Sequence, residues 1–384
     1  MEPVTHFLTG ACLSRSGLNR RAAYATLTMV VAAEFPDIDT LWSLRGPIEG
    51  FQHHRGITHT FLGLPFEAAL IVAGVYAWHQ WRVRRARTHP LPRAKPLTVA
   101  PIRWGSLYGL ALIALLSHLL LDYTNNYGLR PFFPFNDRWY AASIVFIVDP
   151  LMLVLLLGAL ILPSLFGLVS AEVGAKKQPF RGRGWAITAL LGIVAWWSLR
   201  AVEHQRATQM AMSQSILAPS PAIPSNASQT SDDDAQHVPV YLPARAALAS
   251  PDLLNPFRWS AVMDFGPVYR LAEIDTYGGT LTNGETTYPK PGRSAEVLAA
   301  ERSKLGRVYM DWSPMPFIEV TKPDSDGVSE GDQHLVGATL VTFSDPRFMG
   351  GRMRETGRQP LVGTVELDAA GRVVRQTMDG RVEP

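Results

Sequence analysis

The chain has 384 residues, 47% of them hydrophobic, one cysteine and a formal net charge of +3, and its mean hydropathy is only +0.05. The length allows two domains, and the lone Cys12 excludes an internal disulfide. The near-neutral mean hides a division: apolar stretches of membrane length fill the first half and are missing from 240–384, so the basic excess bears on membrane topology before nucleic acid.

Two short apolar stretches come first, Val4–Ser14 and Ala22–Phe35, separated by the glycine and basic residues of "SGLNRR". About 11 residues rise only about 16 Å as a helix, short of a hydrocarbon core about 30 Å thick. The pair therefore reads as a helical hairpin that enters the bilayer part of the way or packs on the bundle. Pro36 and two aspartates follow it in "EFPDIDTLW", which argues against a cleaved signal peptide. Four longer stretches have the length of transmembrane helices: Thr60–Trp81, Trp104–Tyr123, Tyr140–Ser170 and Trp185–Val202. Trp or Tyr lies at or near an end of each, as interfacial anchors do.

Residues 82–103 and 169–184 are basic loops, and both are expected in the cytoplasm. The loop at 124–139, the chain after 203 and "FQHHRGITHT" (51–60) would then face outward, toward the periplasm of an inner-membrane protein. Ser, Pro, Ala and Asp dominate 213–237, a linker composition. Short alternating runs follow, "RWSAVMDF", "VYRLAEID", "HLVGATLVTF" and "LVGTVELD", broken by Gly, Pro and Asp. The expected fold is an α-helical membrane domain over 1–205, a short hairpin plus about four transmembrane helices. A flexible linker over 206–239 and a small β-rich extramembrane domain over 240–384 complete it.

Five polar clusters lie in or beside the apolar half: His6; Asp37 and Asp39; His53, His54, Arg55 and His59; His118 and Asp122; and Asp149. His118 and Asp122, four apart, share one helix face. They can share a metal ion or lock helices together as a hydrogen-bonded pair. Asp37 and Asp39 follow a proline and by themselves read first as solvated carboxylates at a helix end, with a ligand role as the alternative. His54 and His59 flank a Gly-containing turn, with His59 opening the next helix; the plain alternative is a polar interfacial loop with Arg55 on lipid phosphate. His6 alone reads as a structural histidine. Asp149 stands ahead of Pro150, as a partner to a ligand histidine or an acceptor for backbone groups freed by the proline. In the inferred topology every cluster falls at or near an outward helix end. Nitrogen and oxygen donors without a thiolate suit zinc or another divalent ion.

The set "THFLTG", "FPDID", "HHRGITH", "SHLLLDYTNNYG" and "IVDP", in that order over roughly residues 1–160, resembles the YdjM-type family of membrane-bound metal-dependent hydrolases. The order of ligands is also similar to zinc-dependent phospholipase C and the zinc-dependent single-strand nucleases. That resemblance implies one metal held by Asp37 or Asp39, His59, His118 and Asp122, and a second by His6 with Asp122 bridging. Those enzymes use a further downstream ligand set, which has no counterpart here after residue 122. They also use an N-terminal amine, whereas five residues precede His6 here. One or two ions, most readily zinc, are expected, with His54 or Asp149 as replacement ligands.

The chemistry implied is metal-assisted hydrolysis. Asp37 would orient or deprotonate water, Arg55 would pair with substrate phosphate, and Asn125 and Asn126 would touch substrate from the same rim. The expected substrate is a lipid or another membrane-associated ester, with membrane lipids as surroundings and no nucleic acid as partner. A non-enzymatic, metal-stabilised membrane scaffold that binds a partner is the first rival. A transporter, with Glu67, Asp122 and Asp149 along a polar path, is the second.

Overall fold

The structure is a computed structural model, described over residues 1–88, 100–172, 182–218, 240–282, 287–323, 336–349 and 359–384. It opens with α1 (Pro3–Arg15), whose first turn is set by Pro3 and by the Glu2 side chain, which accepts from the Thr5 N–H at 3.0 Å. The chain reverses at Gly17, φ 130°, a conformation few side chains tolerate, and returns as α2 (Ala25–Glu34). Gly10 lets the two helices touch: a Cβ there would stand 2.7 Å from the Ala33 Cβ. The expected hairpin is thus present. It packs on the bundle, with α2 against α5 (Trp104–Thr124) and α1 against α6 (Pro150–Glu172) and α7 (Arg183–Met212).

Pro36 does not end the helical path. A 3-10 helix continues from Phe35 to Leu44, then α3 (Pro47–His53), a 3-10 turn (Ile57–His59) and α4 (Leu64–Thr88). His59 therefore precedes its helix rather than opening it, because Thr60 is extended at φ −118°, ψ 150°. Of the four expected crossings, α5 and α7 are long and apolar enough by themselves. Pro47–His59 and α4 meet at 85° and make a third only if that bent pair is one span, while α6 offers a shorter apolar stretch, Pro150–Phe166. The third expected segment loses its first ten residues because Pro150 disfavours helix at the residue before it. Residues 140–149 instead run extended across the end of α5, with bridges Leu129–Tyr140 and Asn125–Val145. The fourth is longer than expected, since α7 continues to Met212, through the start of the anticipated linker. The rest of that linker, 219–239, lies outside the described residues.

The second half is built from antiparallel strands. They are β1 (Ser215–Leu217), β2 (Tyr241–Pro243), β3 (Ala246–Pro251), β4 (Arg258–Asp264), β5 (Val268–Asp275), β6 (Thr280–Thr282) and β7 (Thr287–Pro289). Helices α8 (Ala295–Arg302) and α9 (Lys304–Trp312) follow. The chain ends with β8 (Phe317–Thr321), β9 (Thr339–Ser344), β10 (Gly363–Leu367), β11 (Val373–Met378) and β12 (Arg381–Val382). One sheet runs β3-β4-β5-β6 with β7 also on β5, and the other runs β12-β11-β10-β9-β8.

Neither sheet stands apart from the helices. Trp259, Met263 and Ile274 of the first bury against Ala207 and Ala211 of α7. In the second, Val341, Phe343, Val365 and Leu367 point inward onto Leu305, Tyr309 and Trp312, the i, i+4, i+7 face of α9. Ile48 and Phe51 of α3 and Tyr127, just past α5, join that core. Each such large apolar side chain contributes about 1.5–3 kcal/mol on burial, so the β-rich half is welded to the loops that follow α2 and α5.

Candidate metal centre

The 3-10 segments that follow α2 and the last turns of α5 converge on four ligand atoms. Asp37, His59, His118 and Asp122 each offer one, all within 4.8 Å of one another. The Nε2 atoms of His59 and His118 are 3.0 Å apart. Asp122 Oδ2 stands 3.3 Å from the first and 3.4 Å from the second. Asp37 Oδ1 lies 3.5 Å from His59 Nε2 and 3.6 Å from His118 Nε2. In a tetrahedron with bonds of about 2.0–2.1 Å the ligand atoms lie about 3.3–3.4 Å apart, so these spacings fit such an ion.

The histidine tautomers follow from their other nitrogens. His118 Nδ1 donates to the Ala33 carbonyl at 2.7 Å, and His59 Nδ1 to Asp39 Oδ2 at 3.2 Å. Both Nε2 atoms then carry lone pairs that face each other and two carboxylate oxygens. Asp122 Oδ2 has no hydrogen-bond donor at all. Four acceptors without a donor among them, three of them on fully buried side chains, require a cation or a proton. Acceptors behind metal-bound imidazoles are the usual outer arrangement of metal sites.

Asp37 and Asp39 divide the work. Asp39 is 4% exposed and its oxygens are fully engaged: Oδ1 with His54 Nδ1 at 3.2 Å, Oδ2 with the Arg55 N–H at 2.7 Å, Thr58 and His59. It positions His59. Asp37 has the more open side chain, 16% exposed. Burial pushes the Asp37 carboxyl up, but where a proton rather than a cation fills the centre, carried on His59 Nε2, its hydrogen bond to Asp37 outweighs burial and holds the group at about 2. The same contest leaves Asp39 lowered: burial against it, hydrogen bonds from His54 and His59 for it.

His54 sits beside the four, edge-on to Tyr127 with ring centroids 5.3 Å apart, rather than among them. His6 stacks on His118 at 3.8 Å between centroids. Its Nε2 faces Asp122 Oδ1 at 3.5 Å. The place expected for a second ion, between His6 and Asp122, is held by the Met1 amino group, which contacts both. The five residues before His6 do not keep that amine away, because α1 starts at Pro3 and folds it back.

Arg55 stands differently from the expectation of a phosphate partner, and Asp149 takes the second of its two expected roles. Arg55 has φ +55°, a left-handed backbone that costs about 1–2 kcal/mol for a side-chain-bearing residue. It is 3% exposed. Its guanidinium donates to Asp122 Oδ1 at 2.7 Å, the Gly128 carbonyl at 2.7 Å and Asn125 Oδ1 at 3.2 Å, and it lies over the Tyr127 ring. It is committed to fixing Asp122, so its fork is not turned to an incoming phosphate. Asp149 lies apart from the cluster: Oδ1 accepts from the Met152 N–H and Oδ2 from the Trp196 indole, both at 3.0 Å. That is the backbone-satisfying role Pro150 creates. Asn125 and Asn126 are wholly buried. Asn125 Oδ1 accepts from the Tyr127 N–H at 2.8 Å and closes the turn after α5.

Sequence reasoning missed the outer wall. Trp312 of α9 donates to the Tyr127 carbonyl at 3.2 Å, and Arg347 donates to the Asn126 carbonyl at 2.8 Å. The β-rich half thus braces the turn that carries Tyr127 over Arg55. No local signal pairs these residues, which lie more than 180 positions apart.

No solved structure matches the chain. Over 168 residues it is 26% identical to the "Uncharacterized protein YfhP" of Bacillus subtilis (strain 168), a match covering 42% of this chain and 45% of that protein. The chain thus spans less than half the length of that relative. A family described as "YdjM inner membrane protein" matches residues 1–207, the stretch that carries every ligand atom of the centre, the span Trp104–Thr124 and most of the span Arg183–Met212. With more than half of its length matched, the chain belongs to the YdjM inner membrane protein family.

Proposed function

We propose that the centre holds a divalent ion, most readily zinc, and that the protein is a membrane-bound hydrolase cleaving a phosphoester or other ester of a lipid or membrane-associated substrate. The observation that carries this is the convergence of four acceptor atoms with no donor among them, on histidines already fixed by acceptors at Nδ1. A divalent ion in such a site supplies Lewis acidity and brings the pKa of water toward about 7.

The chain's own groups divide into holding and reacting roles. His59, His118 and Asp122 are fully buried and hold. Asp37 is the more open of the four, and its carboxylate, ionised at neutral pH, is placed to orient a water or take its proton. Arg55 and the Met1 amine keep Asp122 Oδ1 occupied, so Oδ2 alone points inward. We place the centre and the β-rich half on the outer, periplasmic side, on the strength of the basic loops at 82–103 and 169–184.

A specific observation favours one rival. Four protein ligands close a tetrahedral site, as in structural zinc centres, which suits a metal-stabilised scaffold if Asp37 binds as the fourth. The two readings part on Asp37→Asn. A hydrolase retains its ion with Asp37→Asn and loses at least about 100-fold in turnover of phosphodiester and lipid-ester substrates. A wild-type protein that binds zinc and turns over none of them contradicts the hydrolase reading.

A further inference from the structure

The 3-10 helix that carries Asp37 and Asp39 runs ten residues, Phe35–Leu44, where such helices rarely exceed three or four. With three residues per turn, side chains three apart eclipse, and the segment has three stripes. Pro36, Asp39 and Trp42 form the inner one, buried or half-buried. Asp37, Thr40 and Ser43 form a polar stripe. Ile38, Leu41 and Leu44 form the third and are 46%, 58% and 85% exposed.

Single exposed aliphatics are ordinary on any surface, but these three are in register and do not end alone. Leu27 and Val31, one turn apart on α2, and Val4 and Phe7 on α1 are also exposed. They belong to the hairpin that packs on α5, α6 and α7, two of which are candidate spans. The 3-10 helix packs against α2 and α2 against α1, so the ridge and these four residues are exposed apolar groups on neighbouring elements. Arg45, exposed at the end of the ridge with its guanidinium 4.6 Å over the Trp42 ring, puts a cation beside an aromatic, a pairing suited to anionic headgroups.

We propose that the Ile38–Leu41–Leu44 ridge lies on a lipid surface and sets Asp37, the open side of the metal centre, at headgroup level. Asp37 is the neighbour of Ile38 and heads the adjoining polar stripe, so a ridge dipped into acyl chains leaves the polar stripe at the boundary. Built on the hydrolase reading, this narrows the substrate to an ester at the headgroup of an embedded lipid, reached from the membrane plane.

The test is depth measurement in nanodiscs of phosphatidylethanolamine and phosphatidylglycerol. Spin labels are placed at Leu41→Cys, Leu44→Cys, Thr40→Cys and Ser43→Cys, each alone; native Cys12 is fully buried, and unmutated protein is the labelling control. Labels at 41 and 44 should collide with oxygen in preference to a water-soluble nickel chelate, and those at 40 and 43 the reverse. Equal nickel accessibility at all four overturns the proposal. So does dipolar coupling between labels on two copies, which would make the ridge a self-association face. Catalytically, Leu41→Asn with Leu44→Asn should lower turnover of vesicle-embedded phospholipid about tenfold, equivalent to about 1.4 kcal/mol. Turnover of water-soluble bis-p-nitrophenyl phosphate should be kept; equal loss on both overturns the substrate assignment. If wild type cleaves neither, the hydrolase reading and the substrate assignment fall, while the labels still decide where the ridge lies.

Discussion

Two regions bury charge among apolar helices, and they do it in opposite ways. Around α6 and α7, donors meet acceptors: Asp149 takes a backbone N–H and the Trp196 indole, and both Arg200 Nη atoms donate to the Asp252 carbonyl at 3.0 Å. Arg200 also stacks over Trp196 at 4.6 Å. At the C-terminal end of α5, acceptors meet acceptors: two imidazole Nε2 atoms and two carboxylate oxygens converge. The first region pairs its charged groups with opposite hydrogen-bonding partners, although Arg200 Nε is left without one, and ties the helices to the β-rich half. The second needs a cation or a proton to close it. A buried charge in an apolar helix marks a costly position; whether it is a ligand or a clamp depends on what faces it.

The contrast breaks most visibly at Asp122. Asp122→Ala removes the carboxylate that both orders the ligands and neutralises Arg55. It should abolish metal binding and destabilise the metal-free protein by about 3–5 kcal/mol, as loss of one partner of a buried pair does. Chemical denaturation in detergent measures it, and an Asp122→Ala protein as stable as wild type would erase the distinction. Asp39→Ala leaves the four ligand atoms in place but frees His59 Nδ1. A loss of about 10–100-fold in metal affinity is expected, read by competition with a chromophoric chelator.

Arg200→Met, on the other side of the comparison, should cost about 1–3 kcal/mol from its lost hydrogen bonds and leave metal affinity unchanged. A drop in affinity there would join the two regions into one network. The smallest effect concerns pH. In metal-free protein the Asp37 carboxyl is held at about 2, below its ordinary 3.8. A depressed carboxylate contributes stability that is present above about 4 and lost as pH falls toward 2. The unfolding midpoint of wild type should therefore drop over that window more than that of Asp37→Asn.

How far the sequence foretold this differs between ligands. His118 and Asp122 were legible because a spacing of four on one helix fixes a shared face. His59 was legible through its turn motif. The choice between Asp37 and Asp39 was not, since it depends on helix type. At about 120° per residue in a 3-10 helix, the two aspartates fall on different stripes, one open and one turned inward to His54 and His59. Arg55 and Asp149 have residue types that suit substrate or ligand roles, but their partners are backbone carbonyls, an indole and a distant carboxylate that no local pattern reveals.

The spans were harder to place for a related reason. Composition marks apolar length but not where a proline or an extended residue breaks it, so Tyr140–Ser170 became a helix only from Pro150 and Thr60–Trp81 only from Leu64. The alternating runs of the β-rich half were legible as strands. Its bracing of the turn after α5 through Trp312 and Arg347 was not, because long-range packing leaves no periodic trace.

Metal content decides the central question most directly. The protein is purified in mild detergent without chelators, as wild type and as the His118→Ala, Asp122→Ala double variant, and both are taken to elemental analysis. One equivalent of zinc or another divalent ion in wild type, lost in the double variant, is the predicted result. A wild-type protein that stays metal-free after reconstitution with divalent ions would contradict it. The four converging atoms would then be held by a shared proton, as a polar lock between helices.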